Sequence, residues 1–177
     1  MLVTIRHGQT DYNKKRIFSG LGDEPRLTDE AIVQAFHSGE KLKDLGIEIA
    51  IVSPLTRAKQ TFEEINKSIN VEMHVDNRLI ERDFKSYENT NIDLIDPKDY
   101  WDMDNCKKYD METLEELADR VEKALNDVKE KYHDKNVLIV AHSGVCRAIK
   151  YIVEGKINKH WYEYHMDNLK AYIYQNW

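Results

Sequence analysis

Cysteine, proline and glycine are all scarce in this chain of 177 residues: two, three and seven. Cys106 and Cys146 stand alone without CxxC spacing, which argues against a disulfide framework and a cysteine-based zinc site. So little Pro and Gly excludes a collagenous or low-complexity chain. Long apolar runs are missing as well. The longest strand-like run is Val137–Ala141, far short of the ~20 residues that cross a bilayer. The opening residues Met1 to His7 lack the basic start and extended apolar core of a secretion signal. A cytoplasmic protein without a membrane partner is expected. Positive charge is also in deficit, with 26 Lys and Arg against 32 Asp and Glu, a formal net charge of −6. That balance argues against nucleic-acid binding, which needs a concentrated basic surface. It leaves room for a small anion, because a local group of Arg and His can oppose the global charge.

What the chain does have is alternation. Strand-length apolar runs recur at 2–5, 49–52, 71–75, 137–141 and 171–174. Between them lie segments of helical spacing. Ala31, Ala35, Leu42 and Leu45 anchor the first, and Leu55, Ala58, Phe62, Ile65 and Ile69 the second. Leu114, Leu117, Val121, Leu125, Val128 and Tyr132 mark the clearest amphipathic helix, and a fourth opens at Ser143-Gly144. Strands alternating with helices predict an α/β fold: a three-layer sandwich with a mostly parallel central sheet flanked by helices. No repeat or linker divides the chain, so one domain over 1–177 is expected. Residues 85–110 break the pattern, with Pro97, many Asn and Asp, and the aromatics Tyr87, Tyr100, Trp101 and Tyr109. A long insertion of weak periodicity reads as a lid, its aromatics more simply packing than substrate contacts.

In a parallel α/β sheet, ligands bind beyond the carboxyl ends of the strands. Here the first run is followed by Arg6-His7-Gly8-Gln9-Thr10, and the second by Ser53-Pro54-Leu55-Thr56-Arg57. The third leads to Arg78-Leu79-Ile80-Glu81-Arg82, and the fourth to His142-Ser143-Gly144. This set suits phosphoryl transfer through a histidine. A neutral imidazole can attack phosphorus, guanidinium groups can hold the equatorial oxygens, and a carboxylic acid can protonate the leaving oxygen. Ser53-Pro54 reads as an N-cap and first helical residue. Ser143 and Gly144 open a helix whose N–H groups suit an anion. No cofactor or metal is called for.

These segments resemble the histidine phosphatase superfamily, the phosphoglycerate-mutase-like proteins. The likeness rests on Arg6-His7-Gly8-Gln9-Thr10 with Asn13, Leu27-Thr28 to Gln34-Ala35, and Ser53-Pro54-Leu55-Thr56-Arg57-Ala58-Lys59-Gln60-Thr61. It continues through Leu79-Ile80-Glu81-Arg82 and Val140-Ala141-His142-Ser143-Gly144, so it runs across most of the chain. The resemblance implies that His7 is the phosphorylated nucleophile and Glu81 the proton donor. Arg6, Arg57 and His142 would form the phosphate pocket. Gln9 and Asn13 would lie near phosphate or substrate, and Ser19 and Gly20 in a substrate loop. Arg82 either joins the pocket or pairs with Asp83. Two departures stand out: Lys85 after Phe84 and Asn89 after Glu88, where relatives often carry Gly.

The same residues serve hydrolases and mutases, which differ in how well water is kept from the phosphohistidine. Only about sixty residues separate Glu81 from His142, and the chain has no tail beyond its last strand-like run. A small cover favours a metal-independent phosphomonoesterase acting on a small phosphorylated metabolite. The alternatives are a phosphoglycerate mutase-type transfer, or a weakly catalytic binding or regulatory protein on the same scaffold. A bell-shaped pH profile is expected if His7 acts neutral and a protonated His142 aids binding. Aromatics near Trp161 and Trp177 suit a homodimer interface. His37, His74 and His133 read as surface residues, and His160 and His165 as packing.

Overall fold

Five strands form one sheet, in the spatial order Glu72–Val75, Ile49–Val52, Val137–Ala141, Leu2–Arg6 and Ala171–Tyr174. The computed structural model describes residues 1–177. Strands β1 (Leu2–Arg6), β2 (Ile49–Val52), β3 (Glu72–Val75) and β4 (Val137–Ala141) pair in parallel, and β5 (Ala171–Tyr174) runs antiparallel on β1. The α/β, mostly parallel architecture therefore stands as the sequence pattern predicts. Strands β1, β2 and β4 are buried on both faces, as continuous Val/Ile/Leu runs require. Their alternate residues face opposite layers. Ile49, Ile51, Val137 and Ile139 join one core, while Ala50, Val52, Leu138 and Val140 join the other. Each such Leu, Ile or Val contributes about 1.5–3 kcal/mol by leaving water.

After the single-turn α1 (Asp11–Lys14), the second layer holds α2 (Asp29–Leu42) and α3 (Thr56–Ile69); the first holds α5 (Leu114–Lys131) and α6 (Ser143–Val153). Helix α5 follows its predicted stripe, with Leu114, Leu117, Val121, Leu125 and Val128 buried and a Thr113/Glu116 capping box at its start. In α2 the stripe is narrower: Ala31, Ala35 and Leu42 are buried, whereas Leu45 lies beyond the helix in a turn closed by left-handed Gly46. Strand β3 is an edge strand with three of its four residues exposed.

The Ser53-Pro54 expectation does not hold. Helix α3 starts at Thr56 with Leu55 in the N-cap position and no side-chain cap from it. Asp23 caps instead, accepting from Thr56 N at 2.6 Å and Thr56 Oγ1 at 2.8 Å. A carboxylate there also opposes the positive end of the helix dipole.

Residues 85–110 form short helical turns, including the one-turn α4 (Pro97–Tyr100), and they pack rather than dangle. Ile95, Tyr100, Trp101, Met103 and Cys106 are buried in the first core. The segment is tied down by Met103 N to Lys159 O and Tyr162 N to Trp101 O. Another tie is a 2.7 Å pair between His160 Nδ1 and Asp102, so His160 anchors the cover instead of merely packing. The two Gly replacements both sit in left-handed backbone: Lys85 at φ 44° and Asn89 at φ 63°. The chain keeps the conformation that glycine favours at both points and carries the steric cost.

Candidate active site

At the carboxyl ends of β1 and β4 lies a cavity of about 330 Å³. Its lining includes Arg6, His7, Gln9, Asn13, Ser19, Glu81 and Ser143, seven of the residues singled out above. Arg57, His142, Gly20 and Gly144 are buried behind this lining. Arg82 goes elsewhere. Its fully buried guanidinium donates to Glu112 O at 2.6 Å and Tyr100 O at 2.5 Å, against the rings of Phe84 and Trp101. Its side chain fastens the cover, neither lining the cavity nor pairing with Asp83.

His7 follows β1 directly. Gly8 N donates to Thr61 Oγ1 at 2.9 Å, and Asn168 Nδ2 donates to His7 O at 2.7 Å, so backbone on both sides of the ring is pinned. His7 Nδ1 lies 2.7 Å from Gly8 O. A carbonyl only accepts, so Nδ1 carries the proton and Nε2 keeps its lone pair. Burial, then the charges of Arg57 and Arg6, hold the His7 pKa well below 6.5. The ring is a neutral base.

His142 closes β4, its ring centroid 5.2 Å from that of His7. Ser53 Oγ is 2.6 Å from His142 Nε2, while Nδ1 is buried without a partner. Burial first, then Arg57, His7 and Arg6, keeps His142 well below 6.5 too. The unliganded ring is therefore neutral, contrary to the protonated form expected from the sequence. With Leu55 N donating to Ser53 Oγ at 3.4 Å, the hydroxyl proton is free to point at Nε2. That tautomer leaves Nδ1–H as a donor.

The arginines are placed by backbone carbonyls. Arg6 Nη1 donates to Met166 O at 2.9 Å, and its Nε is buried and unpaired. Arg57 donates to Gly22 O at 2.8 Å, Gly20 O at 2.8 Å and Ser19 O at 3.2 Å, which leaves two of its five N–H donors. Glu81 lies past β3 and the turn Asn77–Leu79. Its Oε1 accepts from Arg82 N at 2.9 Å and Gly144 N at 3.0 Å, while Oε2 has one longer contact, 3.2 Å, with Gly144 N. Space for this approach exists only because residue 144 lacks a side chain: a Cβ there would sit 2.6 Å from Oε1.

Several participants escaped sequence reasoning. Arg120 on α5 donates to the carbonyls of Arg78, Ile80 and Glu81 and pairs with Glu112, clamping the segment that delivers Glu81. Glu88 accepts from Gly20 N at 3.0 Å and Leu21 N at 3.1 Å, tying the loop after Ser19 to the cover. Arg147 and Arg16 line the cavity, with Tyr100 and Trp101 on its wall. Arg147 alone carried a readable signal, one turn beyond Gly144 on an anion-suited helix start.

A fold of this order, with histidines closing two adjacent parallel strands and arginines beside them, defines a phosphoryl-transfer type of protein. The family model described as histidine phosphatase superfamily (branch 1) matches residues 2–175, and the chain belongs to that family of enzymes. It is 34% identical over 157 residues to uncharacterized phosphatase PhoE of Bacillus subtilis, covering 85% of this chain and 76% of that one. It is 31% identical over 172 residues to a 2,3-bisphosphoglycerate-dependent phosphoglycerate mutase of Bradyrhizobium diazoefficiens, covering 87% and 81%. The solved structure of Bacillus stearothermophilus YhfR shares the fold at a TM-score of 0.85 and 22% identity, covering 96% of this chain and 88% of that one. No helix is long and apolar enough to cross a membrane.

Proposed function

We propose that the protein is a metal-independent phosphomonoesterase that hydrolyses a small phosphate monoester through a phosphohistidine at His7. The observation that carries this reading is the His7 ring itself. It is kept neutral by burial and neighbouring cations, with Nδ1 occupied by Gly8 O and Nε2 left as the nucleophilic nitrogen. In the first step His7 Nε2 attacks phosphorus and the bond to the leaving oxygen breaks, while Glu81 gives its proton to that oxygen. Oε1 is held by two N–H groups, so Oε2 is the oxygen to carry the proton. In the second step Glu81, now a carboxylate, takes a proton from water. The water oxygen bonds to phosphorus, the N–P bond breaks, and inorganic phosphate leaves with His7 neutral again.

Throughout, Arg6 Nε, the two free Arg57 donors and His142 Nδ1–H hold the equatorial oxygens. Gln9, Asn13, Ser19 and the Ser143-Gly144 helix start complete the polar surround. The partner is thus a small phosphorylated metabolite, which accords with relatives named phosphatase and phosphoglycerate mutase.

A mutase is the second reading, favoured by the mutase-named relatives. The cover, residues 85–110, is short turns with one single-turn helix, which suits a site that admits water. The test is labelling with a phosphate ester carrying radioactive phosphorus, quenched on the millisecond scale. Labelled protein from the wild type, acid-labile and absent in His7→Asn, is expected. In steady state Glu81→Gln should slow alkyl esters far more than activated aryl esters. No labelled protein, or 3-phosphoglycerate isomerised faster than it is hydrolysed, would overturn the proposal.

A further inference from the structure

Four guanidinium groups surround the cavity, Arg57 and Arg82 buried and Arg6 and Arg147 half-buried, and they differ in what they have left to give. Arg57 has spent three donors on the loop 19–22, and Arg82 fastens the cover outside the cavity. Arg6 stands beside the nucleophile. Arg147 is the fourth. It projects from the second turn of α6 with its guanidinium over the Trp101 ring, 4.5 Å from the centroid. Nε donates to Trp161 O at 3.1 Å, and Nη1 donates to Ser143 O at 3.3 Å and to the Ser143 hydroxyl. Nη2 makes no hydrogen bond to the protein, although Arg147 lines the cavity. Arg147 also forms no ion pair, whereas Arg16, which lines the cavity too, is satisfied bidentately by Asp93.

A guanidinium half-withdrawn from water with no ion-pair partner is costly. Burial, with Arg6 adding repulsion, brings Arg147 down to about 10, still charged at neutral pH. Glu81 is the carboxylate that opposes it, and Glu81 also opposes Arg6 and Arg57. Arg6 also faces Asp167, and Arg57 also faces Asp23 and Glu88, so Arg147 is the one of the three with Glu81 as its sole opposing carboxylate. A phosphoryl group held by Arg6 and Arg57 leaves Arg147 unanswered.

We propose that Arg147 is a second anion-recognition point, selecting a phosphate monoester whose leaving-group side carries a carboxylate. The free Nη2 keeps two N–H groups that can donate to a carboxylate, and Trp101 fixes the plane in which they point. Tyr100, Phe84 and Phe18 supply an apolar wall for the carbons between the two acidic groups. A second phosphate fits less well, since the remaining arginine of the cavity lining, Arg16, is already paired with Asp93. The inference rests on the phosphomonoesterase reading and extends it to the substrate's other end.

The test compares kcat/KM for 3-phosphoglycerate and glycerol 3-phosphate, which differ in a carboxylate for a hydroxymethyl group, with p-nitrophenyl phosphate as a third ester. Wild type should prefer 3-phosphoglycerate by about ten- to a hundredfold, the scale of one hydrogen bond between charged partners. In Arg147→Gln that ratio should fall to within about threefold of unity, and Arg147→Lys should restore part of it. No carboxylate preference in the wild type overturns the inference without any variant. So does an equal loss on all three esters in Arg147→Gln, which would assign Arg147 to the phosphoryl group or to the fold. Should no ester be hydrolysed, the phosphomonoesterase reading fails on its own. Calorimetric binding of 3-phosphoglycerate and glycerol 3-phosphate then decides the Arg147 inference, equal affinities overturning it.

Discussion

Lowering the pH from 7.5 to 5.5 should weaken the fold through two residues, His7 and His142. Both rings are buried and neutral in the native protein, with pKa values well below 6.5. In the unfolded chain they take up protons near 6.5. Between the folded and unfolded values the unfolded state therefore binds more protons, and stability rises with pH. The contribution is fully present above about 6.5 and is lost as pH falls towards the folded values. Each ring costs about 1.4 kcal/mol per pH unit below 6.5, so the pair costs about 2.7 kcal/mol between pH 7.5 and 5.5. For a chain of this size that corresponds to roughly 5–10 °C in Tm.

Urea unfolding at half-unit pH intervals measures the slope directly. His7→Asn should halve it over this window, and His7→Asn combined with His142→Asn should remove nearly all of it. The Asp93 carboxyl, held below its usual value by Arg16, titrates under the window. A flat wild-type profile would refute the reasoning, and so would an unchanged slope in the double variant. Either outcome would mean that the rings are charged in the native fold, and the nucleophile assignment would fail with them.

Other perturbations separate structural from chemical roles. Lys85→Gly should stabilise the protein by about 1 kcal/mol, because glycine takes the left-handed backbone at φ 44° without the Cβ clash; an unchanged or lower urea midpoint would count against stored strain there. Gly144→Ala should cut kcat for alkyl phosphates at least tenfold with a smaller effect on aryl phosphates, since the added methyl displaces the Glu81 carboxylate. Equal losses on both would separate Gly144 from proton donation. Arg82→Met should lower stability by about 2–4 kcal/mol by orphaning the Tyr100 and Glu112 carbonyls and loosening the cover. A raised KM for phosphate esters with an unchanged melting curve would instead assign Arg82 to the substrate.

The fold was legible because the buried strands are uninterrupted. Val137–Ala141 is apolar on both faces and can only be a central strand, and the α5 stripe from Leu114 to Val128 admits one helical face. The candidate site was legible for a related reason: His7, Arg57 and His142 each follow such a strand, whereas Glu81 comes after the exposed edge strand β3 and a turn. What stayed hidden is long-range pairing between segments without periodicity. Nothing local tells that Asp23 caps α3, that Asn168 holds the His7 carbonyl, or that Arg120 grips the backbone before Glu81. The helix start at Ser53-Pro54 was misjudged because the serine's hydroxyl is drawn to His142, 89 positions away. Arg82 was ambiguous because its neighbour Asp83 is not its partner; two carbonyls of the cover are.

Helix α6 gives these parts a common carriage. His142 stands at its N-cap, Gly144 on its first turn grips the Glu81 carboxylate, and Arg147 leaves its second turn. Its opposite face is Val145, Ala148 and Ile149, sealed in the core. His142, the Gly144 N–H that holds Glu81, and the Arg147 guanidinium thus ride on one rigid body whose seating is set by residues outside the cavity. A methylene gained or lost beneath Ile149 would move all three together relative to His7, which is fixed to β1. In the proposed reaction, the spacing between His7 and the Glu81 carboxylate held by Gly144 would therefore be tuned from the far side of the helix, without any change in the cavity wall.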